Sequence, residues 1–287
     1  MVQVDYKELK KNGFMKQVQK DRFSLRMRIV GGQITAEQLK KVYEVAEQYG
    51  QGYVHMTSRQ SIEIPFIALD NIEAVKKTLA EAGLQPGACG PRVRTITACQ
   101  GAAICAHGLI DTTALAKEFD ERYYARELPH KFKLGITGCR NNCLKAEEND
   151  LGVKGGVQVQ WDKDKCSYCG LCEAICSANA VQVNQDTQEL VFNETECILC
   201  GKCITACPAD AWQGQSGYIV YFGGLFGNSI AIGRQLIPRL LSKEELHTVV
   251  ETTLAFFKQH GKPSERFGKT LDRVGWDGLR QQLEGVL

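Results

Sequence analysis

Between residues 22 and 30, apolar Phe23, Leu25, Met27 and Ile29 alternate with Ser24, Arg26 and Arg28, the period-two pattern of a strand buried on one face. Gly31-Gly32 turns the chain. A helix is then predicted from Thr35, where Gln38 completes a capping box, through Leu39, Val42, Tyr43 and Ala46 to a stop at Gly50. Strands follow over 53–57 and 61–67, and a second helix runs from Asp70, with Glu73 as its capping partner, to Gly83. Together they form a βαββα unit, helices on one face of an antiparallel sheet. Further on, a strand is predicted over 131–136. The uncharged run from Ala211 to Gly233, with Tyr218-Ile219-Val220-Tyr221-Phe222 at its centre, is long enough to span a bilayer. Gln213, Gln215, Ser216, Asn228 and the Gly223-Gly224 and Gly227-Asn228 pairs make it a buried β-hairpin instead. A helix from Ser242, capped by Glu245, passes Leu246, Val249, Val250, Leu254 and Phe257 to Gly261. Phe267, Leu271, Val274, Trp276 and Leu279 add further helix packing, and the fold class is α+β.

Composition narrows the function classes. A chain of 287 residues with 44% apolar content can bury one large core or two modest ones, and a net charge of +2 gives no global argument for binding nucleic acid or a membrane. The first seven residues are polar and lack the apolar core of a signal peptide, so a cytoplasmic protein is expected. Thirteen cysteines in a reducing compartment then point to metal rather than disulfides.

Eight of them fall into two runs of Cys-x-x-Cys-x-x-Cys-x-x-x-Cys: Cys166, Cys169, Cys172 and Cys176, then Cys197, Cys200, Cys203 and Cys207, followed by Pro208. In bacterial two-cluster ferredoxins, which residues 160–212 resemble, three thiolates hold three corners of an iron–sulfur cube and the fourth reaches the other cube. One [4Fe-4S] cluster is expected on Cys166, Cys169, Cys172 and Cys207, a second on Cys176, Cys197, Cys200 and Cys203. A pair of zinc sites is the alternative, but zinc leaves no use for the middle cysteine of each triplet. Ser177 stands where the second run has its proline, a change to loop stiffness rather than ligation.

A second family of cysteines comprises Cys99 and Cys105, then Cys139 and Cys143. Either pair alone is weak evidence, since free cysteines are often small buried hydrophobes. The surrounding segments, Thr95-Ile96-Thr97-Ala98-Cys99-Gln100-Gly101 and Gly135-Ile136-Thr137-Gly138-Cys139-Arg140-Asn141-Asn142-Cys143, resemble the sirohaem and [4Fe-4S] motif of sulfite and nitrite reductases. The resemblance covers most of residues 20–285. The arrangement looks like the sirohaem subunit of anaerobic sulfite reductase and the sulfite-reducing half of coenzyme F420-dependent sulfite reductase. It implies a ferredoxin-like half-domain over 1–86, a sirohaem and [4Fe-4S] domain over 87–160 and 214–287, and an inserted ferredoxin domain over 161–213. It also implies three [4Fe-4S] clusters and a sirohaem, with Cys143 bridging the third cluster to the sirohaem iron.

By the same resemblance, Arg26, Arg94, Lys131 and Lys133 are the substrate-side cations, and Arg59, in Thr57-Ser58-Arg59-Gln60, a ligand to a sirohaem carboxylate. Arg28 and Asn141 are further cofactor-binding candidates. From spacing alone each basic residue also reads as part of a solvated strand face, and Arg92 stays open between the two. His55 stands where larger assimilatory members carry an arginine, and its role is left open. The implied reaction is six-electron reduction of sulfite to sulfide. Lys131 and Lys133 deliver protons while Arg26 and Arg94 clamp, because a guanidinium effectively never deprotonates. Electrons would pass from an external donor through the insert to the Cys99/Cys105/Cys139/Cys143 cluster. Nitrite reduction to ammonia, or an electron-transfer subunit without working sirohaem, are the alternatives. The large assimilatory enzymes hold two copies of this unit and this chain holds one, so a homodimer or a heteromer with a related subunit is expected. No flavin or nicotinamide fingerprint is present, which leaves the donor on another protein. His107, His130, His247 and His260 lack metal partners by spacing, and Cys89 is expected as a buried small residue, with a pocket-side thiol as the alternative.

Overall fold

A computed structural model describes residues 4–287. The chain begins with helix α1 (Tyr6–Lys11) and strands β1 (Phe14–Lys16) and β2 (Arg22–Arg26), continues through α2 (Ala36–Tyr49), β3 (His55–Met56) and β4 (Ile62–Ala68), and closes its first layer with α3 (Ile72–Ala80). The four strands form an antiparallel sheet in the order β1-β2-β4-β3. Phe14, Phe23, Leu25, Ile62, Ile64 and Ile67 from the sheet bury against Val42, Val45, Val75 and Leu79 from the helices.

The alternation over 22–30 holds in burial through Val30, with Phe23, Leu25, Met27 and Ile29 buried and the residues between them half-exposed. Regular strand pairing ends sooner: the Met27 N–H still donates to the Ile62 carbonyl of β4 and Met27 bridges Pro86, and the Arg28 N–H then donates to the Gln85 carbonyl. The Thr35/Gln38 capping box forms as its residue types demand. Leu39 and Tyr43, expected on the buried stripe, are 49% and 61% exposed, and the buried face is Val42, Val45 and Ala46. Asp70 does not cap α3: a short turn over Leu69–Asn71 precedes it, and the N-cap Asn71 makes no side-chain hydrogen bond. α1 and β1 have too few periodic positions to announce themselves in the sequence.

The second sheet is built from β5 (Thr97–Ala98), β6 (Leu134–Thr137), β7 (Leu151–Trp161) and β10 (Trp212–Phe222), in the order β10-β7-β6-β5, with α4 (Thr112–Tyr123) between β5 and β6. β6 runs parallel to both neighbours, and β7 and β10 pair antiparallel over eleven residues, from Trp161 opposite Trp212 to Leu151 opposite Phe222. The run Tyr218–Phe222 is therefore covered by pairing with β7, and the predicted hairpin over 217–233 forms only in its outer part, where Phe222 bridges Arg234 and Leu225–Phe226 pair with Ile230–Ala231 (β11 and β12). α7 (Lys243–His260), with its Ser242/Glu245 capping box, packs with α8 (Phe267–Val274) and α9 (Trp276–Glu284) on this sheet, adding Val249, Val250, Phe257, Leu271 and Leu279 to the largest core.

Because Trp161 and Trp212 face each other, the chain between them leaves and returns at one end of the β7–β10 ribbon. This excursion contains helices α5 (Leu171–Ile175) and α6 (Lys202–Ala206) and a hairpin of β8 (Val181–Asn184) with β9 (Glu189–Phe192). Its own small core joins Cys172 and Val181 to Val157, Val159 and Trp212 of the ribbon. Among the described residues no helix is long and apolar enough to cross a membrane.

Candidate active site and metal centres

Arg26, Arg59, Arg94, Lys131 and Lys133 line a single cleft of about 250 Å³, together with Thr57, Ser58, Ser61, Gly87, Ala88 and Thr95. Four chain segments meet there: the end of β2, the turn between β3 and β4, the extended chain at 87–95, and the residues leading into β6. Each guanidinium is held by a separate anchor. Arg26 Nε and Nη2 donate to Glu63 at 2.7 and 2.5 Å. Arg59 donates to Asn149 Oδ1 and the Thr95 carbonyl, both at 3.0 Å, and Arg94 to the carbonyls of Ala88 and Gly90, also at 3.0 Å. The buried Nε of Arg94 has no partner among the described residues.

Lys133 is positioned by a carboxylate with no exposure at all. Asp150 accepts the Lys133 backbone N–H at 2.8 Å, and its two oxygens accept from Arg266 Nε (3.2 Å) and Nη2 (2.8 Å). Around the cleft six cations thus face two carboxylates, Glu63 and Asp150. Burial, with Arg59 and Arg266 nearby, pushes the Lys133 ammonium down to about 8. Lys131 is lowered too, by burial and then by Arg266 and Arg94. Burial brings Arg59 down to about 10 against the pull of Asp150, with Arg94, Arg266 and Arg26 adding to the repulsion. A crowded, half-desolvated set of cations with weak opposing charge is a site that gains from an arriving anion, and Lys133 is poised to give up a proton near neutrality.

Other predicted residues lie elsewhere. Arg28 donates to Asp120 at 2.8 and 2.5 Å, stacks on Tyr124, and does not line the cleft. Arg92 pairs with Glu127 at 3.4 Å. His55 is exposed on β3, Asn141 is exposed, and it is Asn142 that organises the loop, donating to Glu147 and accepting from the Ala146 N–H. Cys89 is buried, with Sγ 3.7 Å from Arg26 Nη1. His247 bridges the Tyr123 hydroxyl (3.0 Å) and Glu118 (2.9 Å). Glu63, Asn149, Asp150 and Arg266 are the residues that sequence reasoning missed. An acid directly before the apolar run Leu151-Gly152-Val153 was a usable signal that a buried partner must exist, whereas Arg266 lies 116 residues away and carries none.

The cleft adjoins the Cys99 and Cys139 loops. Both ends of the Gln60 amide bond to Ala98, donating to its carbonyl at 2.8 Å and accepting its N–H at 3.0 Å. Cys99 follows at once, and its Sγ accepts the Gly138 N–H at 3.0 Å. Gly155 of β7 must be glycine because a Cβ there would strike the Gly138 carbonyl, so the loop lies flat on the sheet. Burial raises the Cys139 thiol, and the thiols of Cys105, Cys143 and Cys99 add to the shift, which places all four in one electrostatic neighbourhood. In the excursion, Cys176, Cys197, Cys200 and Cys203 line one small apolar cavity. Burial raises Cys197, with Cys200 and Cys176 contributing, and pushes Cys203 up to about 12. Among the described residues no three His, Cys, Asp or Glu side chains close on a single ion. A cube engages each thiolate at a different iron, so its ligands stand apart.

Residues 89–287 match the profile of the nitrite and sulphite reductase 4Fe-4S domain, and residues 15–82 that of the nitrite/sulfite reductase ferredoxin-like half domain. The chain belongs to the nitrite and sulphite reductase family. Within that family it is 34% identical over 259 residues to the coenzyme F420-dependent sulfite reductase of Methanocaldococcus jannaschii, covering 90% of this chain and 41% of that protein. It is also 34% identical over 156 residues to the large subunit of the nitrite reductase [NAD(P)H] of Klebsiella oxytoca, covering 54% of this chain and 16% of the relative. The chain thus spans less than half of either relative. A crystal structure of dissimilatory sulfite reductase I superposes with a TM-score of 0.75 at 21% identity, over 92% of this chain and 69% of that one, which establishes the shared fold.

Proposed function

We propose that this chain is a sirohaem-dependent sulfite reductase catalysing the six-electron reduction of sulfite to sulfide. The observation that carries the reading is the convergence of Arg26, Arg59, Arg94, Lys131 and Lys133 on one cleft next to the Cys99 and Cys139 loops. The donor set fits a polycarboxylate macrocycle and a small anion: six cations, two carboxylates and one unpartnered guanidinium nitrogen. At about 250 Å³ the cleft falls below the ~300–1,000 Å³ of drug-sized ligand pockets, a volume suited to a small anion. Arg59 would hold a sirohaem carboxylate, and Cys99, Cys105, Cys139 and Cys143 would hold a [4Fe-4S] cluster beside it. When bound, that pair supplies an iron at which sulfite is reduced and a store of electrons beside it.

The protein groups do the rest. Arg26 and Arg94, fixed by Glu63 and by two backbone carbonyls, clamp the oxygens of the dianion without reorganising. Lys133, held through its own backbone by Asp150 and lowered to about 8, donates a proton from Nζ as each S–O bond breaks, and Lys131 serves beside it. Residues 161–213 are read as an inserted two-cluster ferredoxin, flanked by a half-domain over 1–86 and a sirohaem domain over 87–160 and 214–287. A protein donor supplies the electrons, and a homodimer or related subunit completes the cofactor site. The family's nitrite-reducing members favour a second reading, nitrite to ammonia, in the same cleft. Steady-state turnover with reduced methyl viologen on sulfite and on nitrite separates the two. Sulfite is expected to give the higher kcat/KM, and a preference for nitrite would reverse the assignment.

A further inference from the structure

The two cysteine runs repeat at an interval of thirty-one residues, Cys166 to Cys197, and the repeat extends to the backbone. Left-handed φ recurs at Tyr168 and Leu199, at Gly170 and Gly201, and at Asn179 and Asp210. The first cysteine of each run accepts the N–H two residues on (Tyr168 and Leu199, both 3.4 Å), and the last accepts the N–H four residues on (Ala180 and Ala211, both 3.3 Å). Internal symmetry of this kind makes two equivalent sites, and only their surroundings can make them different.

The surroundings do differ. The second run is pressed onto the sheet: the Val157 N–H donates to the Leu199 carbonyl at 3.0 Å, and Gly201 is buried so closely that a Cβ would sit 2.5 Å from Val157 Cγ1. Leu109 packs into the same small core as Cys197, Cys203 and Ile204, and its N–H donates to the Gly138 carbonyl at 2.8 Å. Gly138 in turn donates to Cys99 Sγ at 3.0 Å, so a short packed track joins the second run to the Cys99 loop. The first run is open at one end, although its Cys172 is buried. Cys169 is exposed, with Leu171 and Ile175 of α5 exposed at 48% and 43%, where the second repeat places Lys202 and Ala206.

We infer that electrons come in at the Cys169 face, pass from the Cys166/Cys169/Cys172/Cys207 cluster to the Cys176/Cys197/Cys200/Cys203 cluster, and leave past Leu109 and Gly138 toward Cys99, and that this face docks a redox protein whose exposed centre is ringed by basic side chains. The inference rests on the proposed reading of the insert as a two-cluster ferredoxin. The partner's charge follows from composition: residues 162–211 carry eight carboxylates and three lysines in a chain whose net charge is +2. Negative charge is thus concentrated on the excursion, where it steers a basic partner, while Leu171 and Ile175 supply an apolar centre for the contact. Each transfer moves one electron, oxidising the partner's centre and reducing one cluster, with no bond made or broken.

The test uses anaerobically purified holoenzyme. Reduced with dithionite, it should show electron paramagnetic resonance signals that Cys169→Ser and Cys200→Ser each alter or abolish separately. A soluble dysprosium chelate should speed relaxation of the Cys169-dependent signal several-fold more than that of the Cys200-dependent one. Oxidation of the reduced enzyme by ferricytochrome c, a probe with lysines round its exposed haem edge, should slow about tenfold in the double variant Leu171→Lys, Ile175→Lys. The same reaction should stay within about twofold in Lys202→Glu, the matching position of the second repeat. Equal or reversed dysprosium effects would overturn the order, and a double variant no slower than Lys202→Glu would overturn the docking face. If neither serine variant changes a signal, the two-cluster reading itself is wrong, an outcome distinct from a reversed order.

Discussion

At the scale of single residues, the proposed chemistry of the cleft is tested most directly at Lys133 and Asp150. A lysine whose pKa falls from 10.5 to about 8 on folding binds its proton more weakly in the folded than in the unfolded chain. Stability therefore rises with pH between about 8 and 10.5, and below 8 the charged lysine is a net cost. Lys133→Met should lose most turnover while stabilising the protein at pH 7 by ~1–2 kcal/mol, a figure reduced for the solvent the side chain still meets; urea unfolding and turnover assays check both. With Lys133 as the proton donor, kcat should fall as pH rises through about 8, and Lys133→Arg should lose most of the turnover and leave a remainder without that limb, because a guanidinium keeps its proton. Asp150→Asn should act in the opposite sense on stability. It leaves the largely buried Arg266 uncompensated and should cost ~3–5 kcal/mol, read as a lower urea midpoint. Residue-level legibility was uneven. The five cleft cations were nameable because their sequence contexts resemble a known motif, whereas Glu63 reaches Arg26, Asn149 reaches Arg59 and Arg266 reaches Asp150 across 37, 90 and 116 residues of chain, which no local pattern reports.

Elements follow the local rules where local chemistry decides, and depart from them where tertiary contacts do. The capping boxes at Thr35 and Ser242 form because each is complete within four residues. Thr35→Ala should accordingly cost ~1 kcal/mol, whereas Asp70→Ala, outside any cap hydrogen bond, should stay within about 0.5 kcal/mol by thermal unfolding. Strand β2 stops at Arg26 although the alternation runs on, because after Met27, whose N–H still reaches Ile62 of β4, the Arg28 N–H finds its partner in Gln85 rather than in a neighbouring strand. The expected hairpin after Gly217 forms only from Phe222 outward, for a related reason. Its apolar run pairs with β7, some sixty residues upstream, and a sequence window cannot see which strand will be opposite. Gly155 is the element-scale device that sets the Cys139 loop on the sheet. Gly155→Ala should push that loop away and lower the iron bound per chain while the far-ultraviolet spectrum stays native in shape.

The molecule has three cores: the β7–β10 ribbon joins the second to the third, and the turn at Val30–Gly32, packed on α4 and β5, joins the first to the second. Since Gly156 lies opposite Gly217 in that ribbon, replacing residues 157–216 by an Asn-Gly turn should close the strands and remove the third core without cutting the other two. The shortened chain should keep dye-driven turnover and lose turnover driven by a protein donor. Loss of both would show that the excursion does more than carry electrons. Composition and spacing made the excursion visible because its cysteine pattern is local, but its asymmetry, one loop buried on Val157 and the other facing solvent, came only from the fold. The claim on which the rest depends is that the cationic cleft and the Cys99/Cys139 loops serve a sirohaem. The most direct measurement is the visible absorption spectrum of anaerobically purified protein, before and after addition of sulfite. Sirohaem bands that shift with sulfite are the predicted result, and a spectrum showing only the broad absorption of iron–sulfur clusters, unchanged by sulfite, would contradict it.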